Sequence, residues 1–149
     1  MKTSADKIFI VKKVNESRQF YEIFSPQNEK RYTVEKELFH PLIKGGDSRG
    51  YILNRTDLLI LFPYSNSYLL TESELKERFP LTFDYLKDHK TYLENRENGK
   101  MKTQKWFGYV YPKALDVIST PKIFTPDIAP NASYSIDKTG DIFFTGGVS

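Results

Sequence analysis

The stretch DLLILFPY, residues 57–64, is apolar without a break from Leu58 to Pro63. A run this short falls far below the roughly 20 residues of a membrane span. It suits a strand at the centre of a sheet. Strand-like sequence surrounds it. KIFIVKKV (7–14) alternates, with Ile8, Ile10 and Lys12 on one face and Phe9, Val11 and Lys13 on the other. QFYEIF (19–24) and RYTVEK (31–36) flank SPQNEK, a Pro-Asn turn, and read as a hairpin. A short helical turn is expected just before Pro41, which disfavours helix in the residue preceding it.

The helical signals are confined to the middle of the chain. Thr71 and Glu74 fit a capping box. A second helix is expected from Pro80, a favourable first-turn residue, to a C-cap at Gly99. Phe83, Leu86 and Leu93 form its buried stripe, with Tyr85, His89, Tyr92 and Arg96 beside it. Beyond it, KWFGYVY (105–111) is expected as a strand, PKALDVIS (112–119) as a short helix, and PKIFTPDI, SYSID and DIFFTGG as short strands, the last entered through the turn DKTG (137–140). There is no βαβ alternation and no repeat. The expected class is α+β, with mixed, mostly antiparallel strands, one long helix and short helices.

The 149 residues fit a single domain spanning 1–149. The last strand-like pattern is still running at Ser149, so the chain is expected to be an excised piece of a larger protein, truncated at its C-terminal end. A net charge of +3 permits a polyanionic partner without requiring one. There is no cysteine, which excludes disulfides and thiolate metal sites and suits the cytoplasm. The N-terminus lacks the apolar core of a signal peptide. His40 and His89 are the only histidines, and neither has metal-ligand spacing. His40 reads as structural or exposed, and His89 as a half-exposed packing residue. No Gly-x-Ser-x-Gly elbow or Walker-type loop is present, so no catalytic, cofactor-binding or metal site is expected.

Two basic regions remain. Lys87, Lys90, Arg96, Lys100, Lys102 and Lys105 face only Asp88, Glu94 and Glu97, and the stretch ends in Trp106-Phe107. Such lysines can neutralise phosphates; equally, cations at a helix C-terminus complement its dipole. Trp106 is either a core residue, the commoner use, or a stacking platform. The loop PLIKGGDSRGY (41–51) is the other region, and an ordinary surface turn is its plain reading.

Several segments, taken in order, resemble one known pattern: TSADKIFIV (3–11), LFHPLIKGGDSRGYI (38–52), DLLILFPY, FPLTFDYLKDHKTYLENR (79–96), KWFGYVYPK (105–113) and PKIFTPDIAPNASYSIDKTGDIFFTGG (121–147). The order is similar to the C-terminal target-recognition domain of adenine-specific DNA methyltransferases, above all the single-chain type II restriction-modification enzymes. The resemblance implies a methylase specificity-domain-like fold that chooses a double-stranded DNA sequence in the bacterial cytoplasm. An upstream catalytic domain of the same polypeptide would use S-adenosylmethionine, with magnesium if a nuclease is also present. That domain's Asn-Pro-Pro-Tyr type motif is absent here, so this piece is expected to be non-enzymatic, without cofactor, membrane or oligomer. Under this resemblance the DNA-contacting set is Lys44, Gly45, Gly46, Asp47, Ser48, Arg49, Arg96, Lys100, Lys102, Lys105 and Trp106. Lys44 and Arg49 would meet phosphates or guanine edges, and Asp47 or Ser48 would order them or read a base. A turn that merely holds the fold is the alternative for that loop. For the whole chain, the alternative is a protein-interaction or structural domain whose basic surface is incidental.

Overall fold

The computed structural model describes residues 2–44, 48–49, 52–53, 57–124 and 135–145. It is α+β, with a mixed and mostly antiparallel sheet. One helical turn, α1 (Asp6–Phe9), opens the chain. Strands β1 (Ile10–Glu16), β2 (Phe20–Ser25) and β3 (Lys30–Glu35) follow as a meander. A short 3-10 turn (Lys36–Leu38) leads into β4 (Phe39–Lys44). Two short strands, β5 (Ser48–Arg49) and β6 (Ile52–Leu53), pair with each other before β7 (Leu58–Leu61). A tight hairpin, β8 (Tyr64–Ser65) and β9 (Tyr68–Leu69), precedes the helices. These are α2 (Glu72–Arg78), α3 (Pro80–Asp88), α4 (Lys90–Glu94) and α5 (Arg96–Gly99). The chain returns through β10 (Lys122–Phe124), β11 (Ser135–Asp137) and β12 (Phe143–Thr145).

The main sheet runs β12-β4-β7-β1-β2-β3. All its pairings are antiparallel except β12 with β4. The apolar run at β7 lies inside this sheet, between β4 and β1, and Leu59, Ile60 and Leu61 are buried. Phe83, Leu86 and Leu93 are buried as their helical spacing requires. The Thr71 hydroxyl accepts from Glu74 N at 3.2 Å, and the Glu74 carboxylate accepts from Thr71 N at 2.7 Å, closing the capping box on α2.

Four expectations are corrected. The strand at 7–14 begins only at Ile10, because Thr3 Oγ1 accepts from Ala5 N and donates to the Asp6 carboxylate, nucleating the turn of α1. The helix from Pro80 to Gly99 is not continuous. It breaks at His89 (φ −106°, ψ 8°) and again after Asn95, where Glu97 and Asn98 take left-handed backbone ahead of Gly99 (φ 82°). Residues 105–111 form tight turns rather than a strand, apart from one bridge between Tyr111 and Lys2. Residues 112–119 also turn without forming a helix.

Candidate nucleic-acid interface

The basic stretch after α5 is held from below. Gly99 O accepts from Lys102 N at 3.1 Å, Thr103 Oγ1 accepts from Lys105 N at 3.1 Å, and Lys105 O accepts from Gly108 N at 2.9 Å. These bonds coil residues 99–108 into consecutive turns with the lysines outside. Lys100, Lys102, Lys105 and Lys113 are exposed. From Asn98 to Leu115 the chain has no Asp or Glu. Among the described residues none of these four lysines joins an ion pair, whereas Lys13, Lys36, Lys76, Lys90 and Lys122 all do.

The β8–β9 hairpin stands beside this stretch. Its turn places Asn66 at φ 48° and Ser67 at φ 67°, the paired positive values of a hairpin turn that follows strand twist. The base of the hairpin is fixed: the Tyr64 hydroxyl accepts from Tyr109 N at 2.8 Å, Tyr109 donates its hydroxyl to Leu61 O at 2.6 Å, and Leu70 N donates to Pro63 O at 3.0 Å. Burial raises the pKa of both phenols, so they remain neutral donors and acceptors. Gly108 lets the two parts close up, since a Cβ there would lie 3.0 Å from Leu69 Cδ2. Between hairpin and turns lies an open cleft of about 410 Å³, with Tyr64, Leu69, Tyr109 and Leu115 in its wall and Tyr68 and Lys105 at its rim. Tyr68 is 78% exposed.

Arg96 does not belong to this surface. It is buried, and its guanidinium donates to the carbonyls of Leu93, Thr3, Trp106 and Gly108 at 2.5–2.9 Å. The expectation that it meets a phosphate is corrected, because its charge is turned inward to tie segments of chain together. Trp106 is corrected likewise. It is buried, its indole N–H donates to Glu72 Oε2 at 3.2 Å, and Lys90 lies over its ring at 5.1 Å, which leaves no face for stacking. Of Lys44, Ser48 and Arg49 only the backbone is described, in β4 and β5; Gly45, Gly46, Asp47 and Gly50 lie outside the described residues.

Tyr68 and Lys113 escaped sequence reasoning. The signal for Tyr68 was there: an Asn-Ser turn between Tyr64 and Leu69, with an aromatic directly after it. Lys113 lies in residues 112–119, where the sequence predicts a helix and the chain turns instead. His89 is more buried than its helical position implied. Its Nε2 lies 3.4 Å from Ser25 Oγ beneath Tyr85, and Ser25 is fully buried, so this serine–histidine contact is closed to any substrate. Among the described residues no group of His, Asp or Glu stands in a metal-holding arrangement, and no helix is long and apolar enough to cross a membrane.

Compared with known proteins, the chain matches no family model and no curated protein.

Proposed function

We propose that this chain is a sequence-specific double-stranded DNA recognition module, serving a separate S-adenosylmethionine-dependent adenine methyltransferase domain in the manner of single-chain type II restriction-modification enzymes. The observation that carries the reading is the stretch 98–115. It presents four exposed lysines with no carboxylate of its own, on turns braced against a rigid hairpin. Lysines without local partners keep their full attraction for phosphates. The motif order supports the finer assignment, including a methylase specificity-domain-like form of the α+β fold. The glycine loop at 44–50 keeps its place in the proposal, with Arg49 as its candidate base reader. The test is fluorescence anisotropy of the purified chain with labelled duplex DNA across a salt series. Binding in the range of about 1–100 µM that weakens steeply with salt is expected. Absence of binding at low salt would refute the reading.

A second reading has its own support. Ile123 and Ile136 lie opposite each other across β10 and β11, and both are about half exposed (59% and 48%). This apolar pair suits a protein contact, in which case the lysines serve solubility. A flat salt response in the same titration favours this reading.

A further inference from the structure

From the cleft beside the β8–β9 hairpin we infer that it takes one unstacked base of a nucleic-acid strand, with Tyr68 stacking on the base and Lys105 beside its phosphate. The inference rests on the nucleic-acid reading above and deepens it. Three features point to this occupant.

First, Tyr68 is the most exposed large apolar side chain among the described residues. It stands on a hairpin whose base is locked by Tyr64, Tyr109 and Leu70. An aromatic ring offered to solvent on a rigid support loses little freedom when it stacks.

Second, the cleft falls within the usual range of about 300–1,000 Å³ for small-ligand sites. Its wall of Tyr64, Leu69, Tyr109, Val110, Pro112 and Leu115 is largely apolar, and Lys105 is its one cation. An apolar wall, an aromatic plate and one cation suit a flat ring joined to an anion.

Third, Lys100, Lys102 and Lys113 continue the positive charge along the chain beyond the cleft. A free mononucleotide has a single phosphate group, so the extra lysines point to a strand. An acidic peptide would satisfy the charge but gains less from the tyrosine plate.

The test compares two labelled duplexes with the purified chain: one fully paired, and one with a single bulged 2-aminopurine. The bulged duplex should bind about 5- to 150-fold tighter, the range of one base–aromatic stack, and its 2-aminopurine fluorescence should fall on binding. Tyr68→Ala should remove that preference and the quenching, and Tyr68→Phe should keep both. Circular dichroism checks that the variants fold. Equal binding of the two duplexes, with strong salt dependence retained, would overturn the base site and leave the DNA reading standing. No binding of either duplex would overturn both. Competition by adenosine monophosphate as effective as by an unlabelled bulged duplex would overturn the strand as occupant, as would an acidic peptide that displaces the bulged duplex equally well.

Discussion

The Arg96 guanidinium joins four carbonyls drawn from the chain start, α4 and the turns under the basic stretch. Among the described residues it has no carboxylate partner within ion-pair distance, so carbonyl dipoles and the Phe9 ring, 5.5 Å away, hold its charge. Burial draws its pKa down to about 10, which leaves it charged at neutral pH. Arg96→Ala would strand buried acceptors and should cost about 3–5 kcal/mol. Arg96→Lys should recover only part of this, since an ammonium lacks the planar fork. Urea denaturation measures both, and a loss below about 0.5 kcal/mol for Arg96→Ala, the level of a neutral surface change, would refute the staple. His40 gives the pH prediction. Its ring stacks on Phe143 at 4.3 Å, and burial lowers its pKa to about 4, with Asp141 opposing and Lys122 adding to the shift. A folded pKa below the unfolded value of about 6.5 means that the unfolded chain binds more protons between those values. Stability is therefore flat above pH 6.5 and falls as pH drops towards 4. The expected loss between pH 7.5 and 5 is about 2 kcal/mol from His40, and His89, also lowered by burial, adds in the same direction. His40→Phe should shrink the loss by that amount; an undiminished loss in paired urea titrations would show that His40 is not its source.

Among the elements, α3 is capped by another element. Its N-cap, Phe79, has an apolar ring that makes no capping hydrogen bond. Glu35, at the end of β3, accepts instead from Leu81 N at 3.0 Å and from Thr82 N and Oγ1 at 2.9 and 2.6 Å. The carboxylate both caps the helix and docks it on the sheet edge. Glu35→Ala should cost about 1–2 kcal/mol without changing the salt dependence of DNA binding. Thermal melts and the anisotropy titration together check this, and a changed salt slope would count against a purely structural role. This cap was not legible in the sequence, because Glu35 and Thr82 are 47 residues apart. The local capping box of α2 was legible, since its partners sit three residues apart. The hairpin of β2 and β3 and the buried β7 were legible for the same reason: their signals are local alternation and an unbroken apolar run. The break at His89 was not. Helical spacing carries on through it, and what bends the chain is a tertiary pocket in which the ring meets Ser25 and Tyr85. The aromatic stretch 105–111 has strand composition, but Arg96 takes the Trp106 and Gly108 carbonyls that a sheet ladder would use.

At the scale of the whole molecule, the cation count alone marks residues 96–105, with the loop at 44–49, as a candidate interface but does not say which cations face outward. Arg96 and Trp106 drop out of the candidate set because burial is set by long-range packing; Tyr68 joins it because the fold brings the hairpin to the cleft beside Lys105, and Lys113 because it is exposed next to Pro112 in that cleft's wall. The surviving lysines give a quantitative expectation. If Lys100, Lys102, Lys105 and Lys113 each neutralise one phosphate, log affinity against log salt should have a slope near −3.6, or about −0.9 for each contact. Lys100→Ala, Lys102→Ala and Lys105→Ala combined should reduce the slope to about −0.9. All three side chains are exposed and without ion pairs among the described residues, so the triple variant should melt within a few degrees of the parent. A control triple of Lys12→Ala, Lys30→Ala and Lys87→Ala removes the same charge from exposed positions outside the stretch 98–115. Net charge alone would make the two triples behave alike, whereas a defined interface makes only the first lose its salt slope. Equal slopes for the two variants would show that the lysines act as a diffuse charge, and the cleft would then lose its claim to be the place where DNA is bound.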